Sequence, residues 1–290
     1  MIMRSQIHHH AVRVNNAAIA CQIVNPEQQY TVFFIHGNSG SADTWNLQLT
    51  EPLFKEYRII AIDLPAHGNS SIPEDLFDFS VLGMAALLAA VVKVLIADNP
   101  FVLVGLSLGT NVVAEILPYV NISGIVLISP SIITDGNTLN KLFKPGANVS
   151  VFFTDNVEER EVENVLGQCI EDNQEEIFNK IKSDYYRVKG DFRSMLHKSV
   201  MKEFYSDEIR LITGSGLKPL VIFGASDPLC NIDYLDDDLG NICYKEIYKL
   251  SNARHFPQID QWRTVNDLLY KYLNDACQKS IRSHSCDHGI

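Results

Sequence analysis

Short runs of consecutive apolar residues, each closed by a turn signal and followed by a helix-length segment, recur along this chain. Tyr30–Ile35 ends at His36-Gly37, Tyr57–Ile62 ends at Asp63-Leu64-Pro65, and Phe101–Val104 runs straight into Gly105. A strand with no polar alternation needs cover on both faces. Repeated alternation of such strands with helical patterns predicts an α/β fold whose sheet is mostly parallel. Two shorter strands are expected at Ala11–Val14 and Ala18–Val24. Helices are expected near 43–54 and 80–97. Further strands follow at Ile125–Ile128, Pro219–Gly224 and Cys243–Tyr248, with helices near 231–238 and 258–273.

The stretch from 130 to 190 breaks that rhythm. Turn-rich pieces lead into two helical patterns, Val162/Val165/Leu166/Cys169/Ile170 and Ile177/Phe178/Ile181. At 290 residues the chain allows one large domain or two small ones. The pattern favours a single α/β core over 1–129 and 191–275, a helical insertion at 130–190, and a polar C-terminal tail at 276–290.

Composition removes several functions. The net charge is −11, which repels phosphate backbones and anionic lipid, so neither nucleic acid nor a polybasic membrane contact is expected. The apolar stretch Val81–Ala97 is too short for a span and follows the helix-capping Asp78-Phe79-Ser80, so it reads as a buried helix. There is no signal-peptide run at the start, and the six cysteines show no C-x-x-C pair. The expected setting is therefore cytoplasmic. His8-His9-His10 reads as a polar strand start. The tail residues Cys277, His284, Cys286 and His288 fit no closed zinc spacing. No metal and no cofactor are expected, and nothing in the sequence specifies an oligomeric state.

Chemistry concentrates at Gly105-Leu106-Ser107-Leu108-Gly109, a G-x-S-x-G segment between an apolar strand and the helix-like Asn111–Leu117. So tight a strand-to-helix turn strains its central residue and lifts the hydroxyl clear of both elements. The flanking positions must be small for strand and helix to approach. In this setting the sequence resembles the α/β-hydrolase family, over nearly the whole chain apart from the insertion. The resemblance implies an eight-stranded, mainly parallel sheet flanked by helices, with a small helical cap inserted after the sixth strand, where 130–190 falls. It also implies a serine nucleophile, Ser107, which disfavours the branches that carry aspartate there.

His36-Gly37-Asn38-Ser39-Gly40 matches the family's H-G-x-x-G loop. The implied oxyanion donors are the backbone N–H groups of Asn38 and Leu108. His36 itself is expected to shape the loop. Histidine suits the base role because its ordinary pKa of about 6.5 is near working pH. The family places its catalytic histidine after the last strand, which implies His255, and its acid after the seventh, which implies Asp227. Asp135, after the sixth strand, is the alternative acid. The chain departs from the family at Ala66, in Asp63-Leu-Pro-Ala-His-Gly-Asn-Ser70, and at Asn252-Ala-Arg254, where Gly-x-Gly is usual. Arg254 is either a solvated neighbour or a bias toward anions.

Nine acidic side chains between Asp155 and Glu176 read as a solvated helix face, or alternatively as attraction for a cationic substrate. The resulting expectation is a cofactor-independent serine hydrolase acting on a small or medium acyl ester, thioester or lactone. The alternatives are another reaction on the same fold (perhydrolysis, C–C cleavage, acyl transfer or cofactor-free oxygenation) and a non-enzymatic small-ligand receptor.

Overall fold

The computed structural model describes residues 6–172 and 174–286; the side chains of His284 and Cys286, and all of His288, lie outside what it describes. Eight strands form one sheet: β1 (His8–Val14), β2 (Ala17–Val24), β3 (Thr31–Ile35), β4 (Arg58–Ile62), β5 (Phe101–Leu106), β6 (Gly124–Ile128), β7 (Leu220–Gly224) and β8 (Ile247–Leu250). Their order is β1-β2-β4-β3-β5-β6-β7-β8. The pairs β1/β2 and β2/β4 are antiparallel, and every other pair is parallel.

The apolar runs explain this sheet directly. β3, β5, β6 and β7 are buried at every position. Alternate side chains divide between two cores, as a period of two requires. Phe33, Ile35, Leu103, Leu127 and Phe223 pack on one face with the helices Val81–Leu95 and Leu108–Ile116. Phe34, Val104, Ile128 and Ile222 pack on the other with Trp45, Phe54 and the helix Trp262–Cys286. Each such side chain contributes about 1.5–3 kcal/mol by leaving water. The apolar run 81–97 is a core helix capped by Ser80, whose Oγ accepts from Gly83 N at 3.0 Å. Among the described residues, no helix is long and apolar enough to cross a membrane.

Four expected elements differ in detail. The helix expected near 43–54 is broken into Ala42–Trp45, Asn46–Leu49 and Pro52–Phe54. Pro52 pushes Glu51 to an extended ψ of 117°, and the Glu51 carboxylate then caps Leu53 N. The expected helix near 231–238 shrinks to Asp236–Leu239. The last strand is Ile247–Leu250 because Lys245 takes a left-handed φ of 65°, which interrupts an extended run begun at Cys243. The final helix continues to Cys286, so residues 276–286 of the expected tail are helical.

Between β6 and β7 the chain forms the helices Gly136–Leu142, Glu159–Gln168, Glu175–Tyr186, Phe192–Met201 and Glu208–Gly214. Val162, Leu166, Ile170, Ile181 and Tyr185 make a small core there, shared with Ile259 beyond β8. The insertion thus docks on the loop that follows the last strand.

Tyr272 ties the final helix to the sheet. Its Oη accepts from Ile125 N at 2.8 Å and donates to Lys218 O at 3.0 Å, while its ring leaves no room for a Cβ at Gly124. Tyr272→Phe strands both backbone groups in a buried site. The expected cost is about 1–3 kcal/mol, read as a lower urea midpoint with unchanged m-value.

Candidate active site

Ser107 sits at the junction of β5 and the helix Leu108–Ile116 with φ 49° and ψ −121°. Such a conformation costs about 1–3 kcal/mol in a non-glycine residue and persists only when its surroundings enforce it. Here Ser107 N donates to Ile128 O at 3.0 Å, and Ser107 O accepts from Thr110 N at 2.7 Å and Thr110 Oγ1 at 2.6 Å. A Cβ on Gly105 would lie 2.5 Å from Gly109 O, and one on Gly109 would collide with Ile35 O. Leu108 opens its helix, so its N–H precedes the first intrahelical bond and points outward at the turn.

Asp227 follows β7 and is fully buried. Its Oδ1 accepts from Leu229 N at 2.8 Å and Cys230 N at 3.0 Å, and its Oδ2 lies 2.8 Å from His255 Nδ1. Burial alone pushes this carboxyl up, but attraction to His255 and the three hydrogen bonds outweigh it, leaving the group below the ordinary carboxylate range. The carboxylate bonded to His255 is therefore Asp227; Asp135 is an exposed residue after β6. His255 N donates to Cys169 O at 3.0 Å, which ties the histidine loop to the insertion.

Two further histidines brace the loops. His36 Nε2 accepts from Leu64 N at 2.9 Å while Nδ1 donates to Gly37 O at 2.7 Å. His67 Nε2 accepts from Ser39 N at 3.1 Å while Nδ1 donates to Pro65 O at 2.9 Å. These bonds demand one proton per ring, and burial lowers both pKa values to match. Asp63 closes the adjoining turn by accepting from Ala42 N and Asn69 N, each at 2.7 Å. Ala66, where the family has glycine, adopts the glycine-favouring φ of 64° and remains tied through Ser71 O.

A relay invisible in the sequence holds Asn38. Arg193, 5% exposed, donates through Nε to Ser39 Oγ at 2.9 Å. Ser39 Oγ donates to Asn38 Oδ1 at 2.8 Å, and Asn38 Nδ2 donates to Phe152 O at 2.8 Å. The guanidinium also bonds Tyr185 O and lies 3.8 Å from the Tyr185 ring centroid. Asn38 is thereby gripped at both ends of its amide by residues that lie between β6 and β7.

Asn38, Ser107, Leu108 and His255 all open on one cavity. Its walls are apolar, including Val81, Leu139, Phe143, Phe153, Val200 and Phe256, and no Asp, Glu, Lys or Arg is among its described lining. The acidic run lies elsewhere. Glu163 pairs with Lys182 at 2.7 Å, and Glu171 and Asp172 each pair with Arg254 at 3.4 Å. Arg254 also donates to Ile170 O at 2.6 Å. It is a strut between the histidine loop and the insertion, and it biases the cavity toward neither charge.

Beyond the cavity wall, Glu208 is fully buried. Its Oε2 accepts from Asn111 Nδ2 and Ile133 N, both at 2.7 Å, while Oε1 has no partner. Burial, with Glu115 nearby, raises its pKa well above 4.5, which favours the neutral acid. Its stabilising contribution is whole below about pH 4.5 and shrinks as pH climbs toward the raised folded-state value, because the unfolded chain releases the proton first. Between pH 5 and 8 the urea midpoint of the wild type should fall more than that of Glu208→Gln, which has no proton to lose. Parallel curves would refute this reading.

Comparison with known proteins agrees with this architecture. A family model described as alpha/beta hydrolase fold matches residues 30–261. The N-acyl homoserine lactonase AidH, in complex with N-butanoyl homoserine, superposes with a TM-score of 0.82 at 22% identity over 94% of this chain and 98% of that one. A thermophilic esterase from Thermogutta terrifontis gives 0.74 at 18% identity, covering 93% and 99%. Esterase RhEst1 from a Rhodococcus species gives 0.73 at 21%, covering 92% and 98%. One curated relative matches in sequence, the dihydrolipoyllysine-residue acetyltransferase component of the acetoin cleaving system of Cupriavidus necator. It is 51% identical over 41 residues, which is 14% of this chain and 11% of that protein.

Proposed function

The chain belongs to the alpha/beta hydrolase fold family, and from that premise we propose that it hydrolyses uncharged esters or lactones with an apolar acyl chain through an acyl-serine intermediate. The observation that carries this is the opening of strained Ser107 and Asp227-bonded His255 onto one apolar cavity.

The Asp227 bond sets the tautomer. With its proton on Nδ1, facing the carboxylate, the imidazole presents Nε2 as an acceptor to the cavity. His255 takes the Ser107 proton as Oγ attacks the carbonyl carbon. The carbonyl oxygen gains the charge and receives the N–H groups of Asn38 and Leu108, each worth about 2.7–4 kcal/mol in such a role. His255 then protonates the leaving alcohol, or the alkoxide end of an opened lactone. Water, activated by the same imidazole, releases the acid. Asp227 stabilises the imidazolium that forms in each half. Residues 130–190 act as the cap: Leu139, Phe143, Phe152 and Phe153 supply the acyl wall. The free thiols of Cys21, Cys169, Cys230, Cys243 and Cys277 support a reducing, cytoplasmic setting.

A fluorophosphonate probe should label Ser107 and leave Ser107→Ala unlabelled. Asp227→Asn should lower kcat roughly 10³–10⁴-fold, and kcat/KM should fall on acidification as His255 gains a proton. Across p-nitrophenyl esters, kcat/KM should rise about fourfold per added methylene until the cavity fills, following about 0.8 kcal/mol per buried CH₂. Absence of labelling, or a flat profile from pH 5 to 8, would defeat the proposal.

Cutting the relay tests the role of Asn38. Ser39→Ala should lower kcat about tenfold with KM little changed, less than the 10²–10³ lost when a donor is removed outright. Amide exchange at Asn38 should accelerate in the same variant, whatever the substrate.

A further inference from the structure

We propose that Asp227, Cys230 and His255 form a binding site for a thiophilic divalent cation, zinc or cadmium, and that the bound cation switches hydrolysis off. Among the described residues, these three side chains bring their ligand atoms within 4.8 Å of one another, all in buried positions. One carboxylate oxygen, one sulfur and one imidazole nitrogen make up a donor set that zinc accepts. Carboxylate, thiolate and neutral imidazole together carry two negative charges. A dication cancels them, so the occupied site is neutral, as a buried site requires.

The local fold fixes two of the ligands relative to each other. Asp227 and Cys230 share one turn, closed by Cys230 N donating to Asp227 Oδ1 at 3.0 Å. That turn is clamped from outside, where Lys144 N donates to Leu229 O at 2.9 Å and Asn231 N to Leu142 O at 2.7 Å. Cys230 and His255 both line the cavity that holds Ser107, which gives a cation its route and leaves the fourth position open. Asp227 Oδ2 and His255 Nδ1 stand 2.8 Å apart. Ligand atoms around tetrahedral zinc stand roughly 3.3–3.8 Å apart, so the pair must open by about 1 Å or less.

The proton balance explains the inhibition. Binding releases the Cys230 thiol proton to solvent and moves the His255 ring proton from Nδ1 to Nε2. The cation takes the lone pairs of Nδ1, Oδ2 and Sγ; nothing is oxidised or reduced. With its Nε2 protonated, His255 no longer accepts the Ser107 proton. The groups facing Cys230 include His255, Asp227, Cys169 and Lys144, and the Lys144 ammonium is occupied on Asp227 O at 2.5 Å.

The activity arm of the test rests on the serine-hydrolase reading; the binding arm does not. Cadmium titration of the full chain, followed by the ultraviolet sulfur-to-cadmium charge-transfer band, should show one thiolate-bound cation in the wild type and in Cys169→Ser. The band should be absent in Cys230→Ser and Cys230→Ala. The exposed His8–His10 segment contributes nothing to a thiolate band. Zinc should inhibit ester hydrolysis by the wild type, reversibly with EDTA. Cys230→Ser, measured against its own metal-free rate, should need at least 100-fold more zinc. A band that survives in both Cys230 variants, or equal zinc sensitivity of wild type and variants, overturns the proposal. A wild type that binds cadmium through Cys230 yet hydrolyses nothing refutes the hydrolase reading and leaves the site standing.

Discussion

Everything at the cavity depends on backbone crowding where β3 and β5 end. Gly105, Gly109 and the carbonyl of Ile35 come so close that no side chain fits between them. A Cβ on Gly37 would stand 3.2 Å from Ser107 Cβ. This approach forces the chain to turn within a single residue and puts Ser107 at a φ of 49°. The same approach sets the 36–40 loop beside the first N–H of the following helix. The two proposed oxyanion donors thus come from segments about 70 residues apart and are brought together by the register of two adjacent parallel strands, Ile35 against Gly105.

The segment between β6 and β7 grips this apparatus from the opposite side. Phe152 O and Arg193 hold the two ends of the Asn38 side chain, one directly and one through Ser39. Cys169 O holds the backbone of His255, and Arg254 reaches back to Ile170 O. Outward movement of the insertion breaks bonds to the donor loop and to the histidine loop together. Pairing with Lys182 and Arg254 gives several insertion carboxylates a structural use, and none of them faces the cavity.

The sequence revealed what local chemistry dictates. Runs such as Thr31–Ile35 and Phe101–Leu106 can be little other than central strands, and the glycines around Ser107 signal a turn that tolerates no side chains. Element ends were less legible. Pro52 breaking a helix and Lys245 breaking a strand are single-residue events inside otherwise favourable patterns. Long-range polar contacts were not legible at all. Arg193 and Ser39 lie 154 positions apart, and Asn111 and Glu208 lie 97 apart. A buried arginine or glutamate looks in sequence like any surface charge, because its partners are set by tertiary packing. The approach of Cys230 to His255 is hidden for the same reason, since it is created by β7 and β8 lying side by side.

Two buried carboxyls show how the fold decides where charge is allowed. Asp227 and Glu208 are both fully removed from solvent, and burial pushes both toward the neutral form. Asp227 meets three donors and a histidine that becomes cationic during the proposed reaction, so it is held ionised. Glu208 meets two donors and the nearby Glu115, and its Oε1 has no partner among the described residues, so burial favours its protonated form. His36 and His67 are likewise kept neutral by burial and by bonds that fix one proton on each ring. Burial and local partners therefore favour negative charge on the carboxylate behind His255 and disfavour it on Glu208. An imidazolium there is stabilised without competition from Glu208, the buried acid behind the cavity wall. Asp227 can orient and stabilise His255 because its neighbours leave it no favourable way to be neutral.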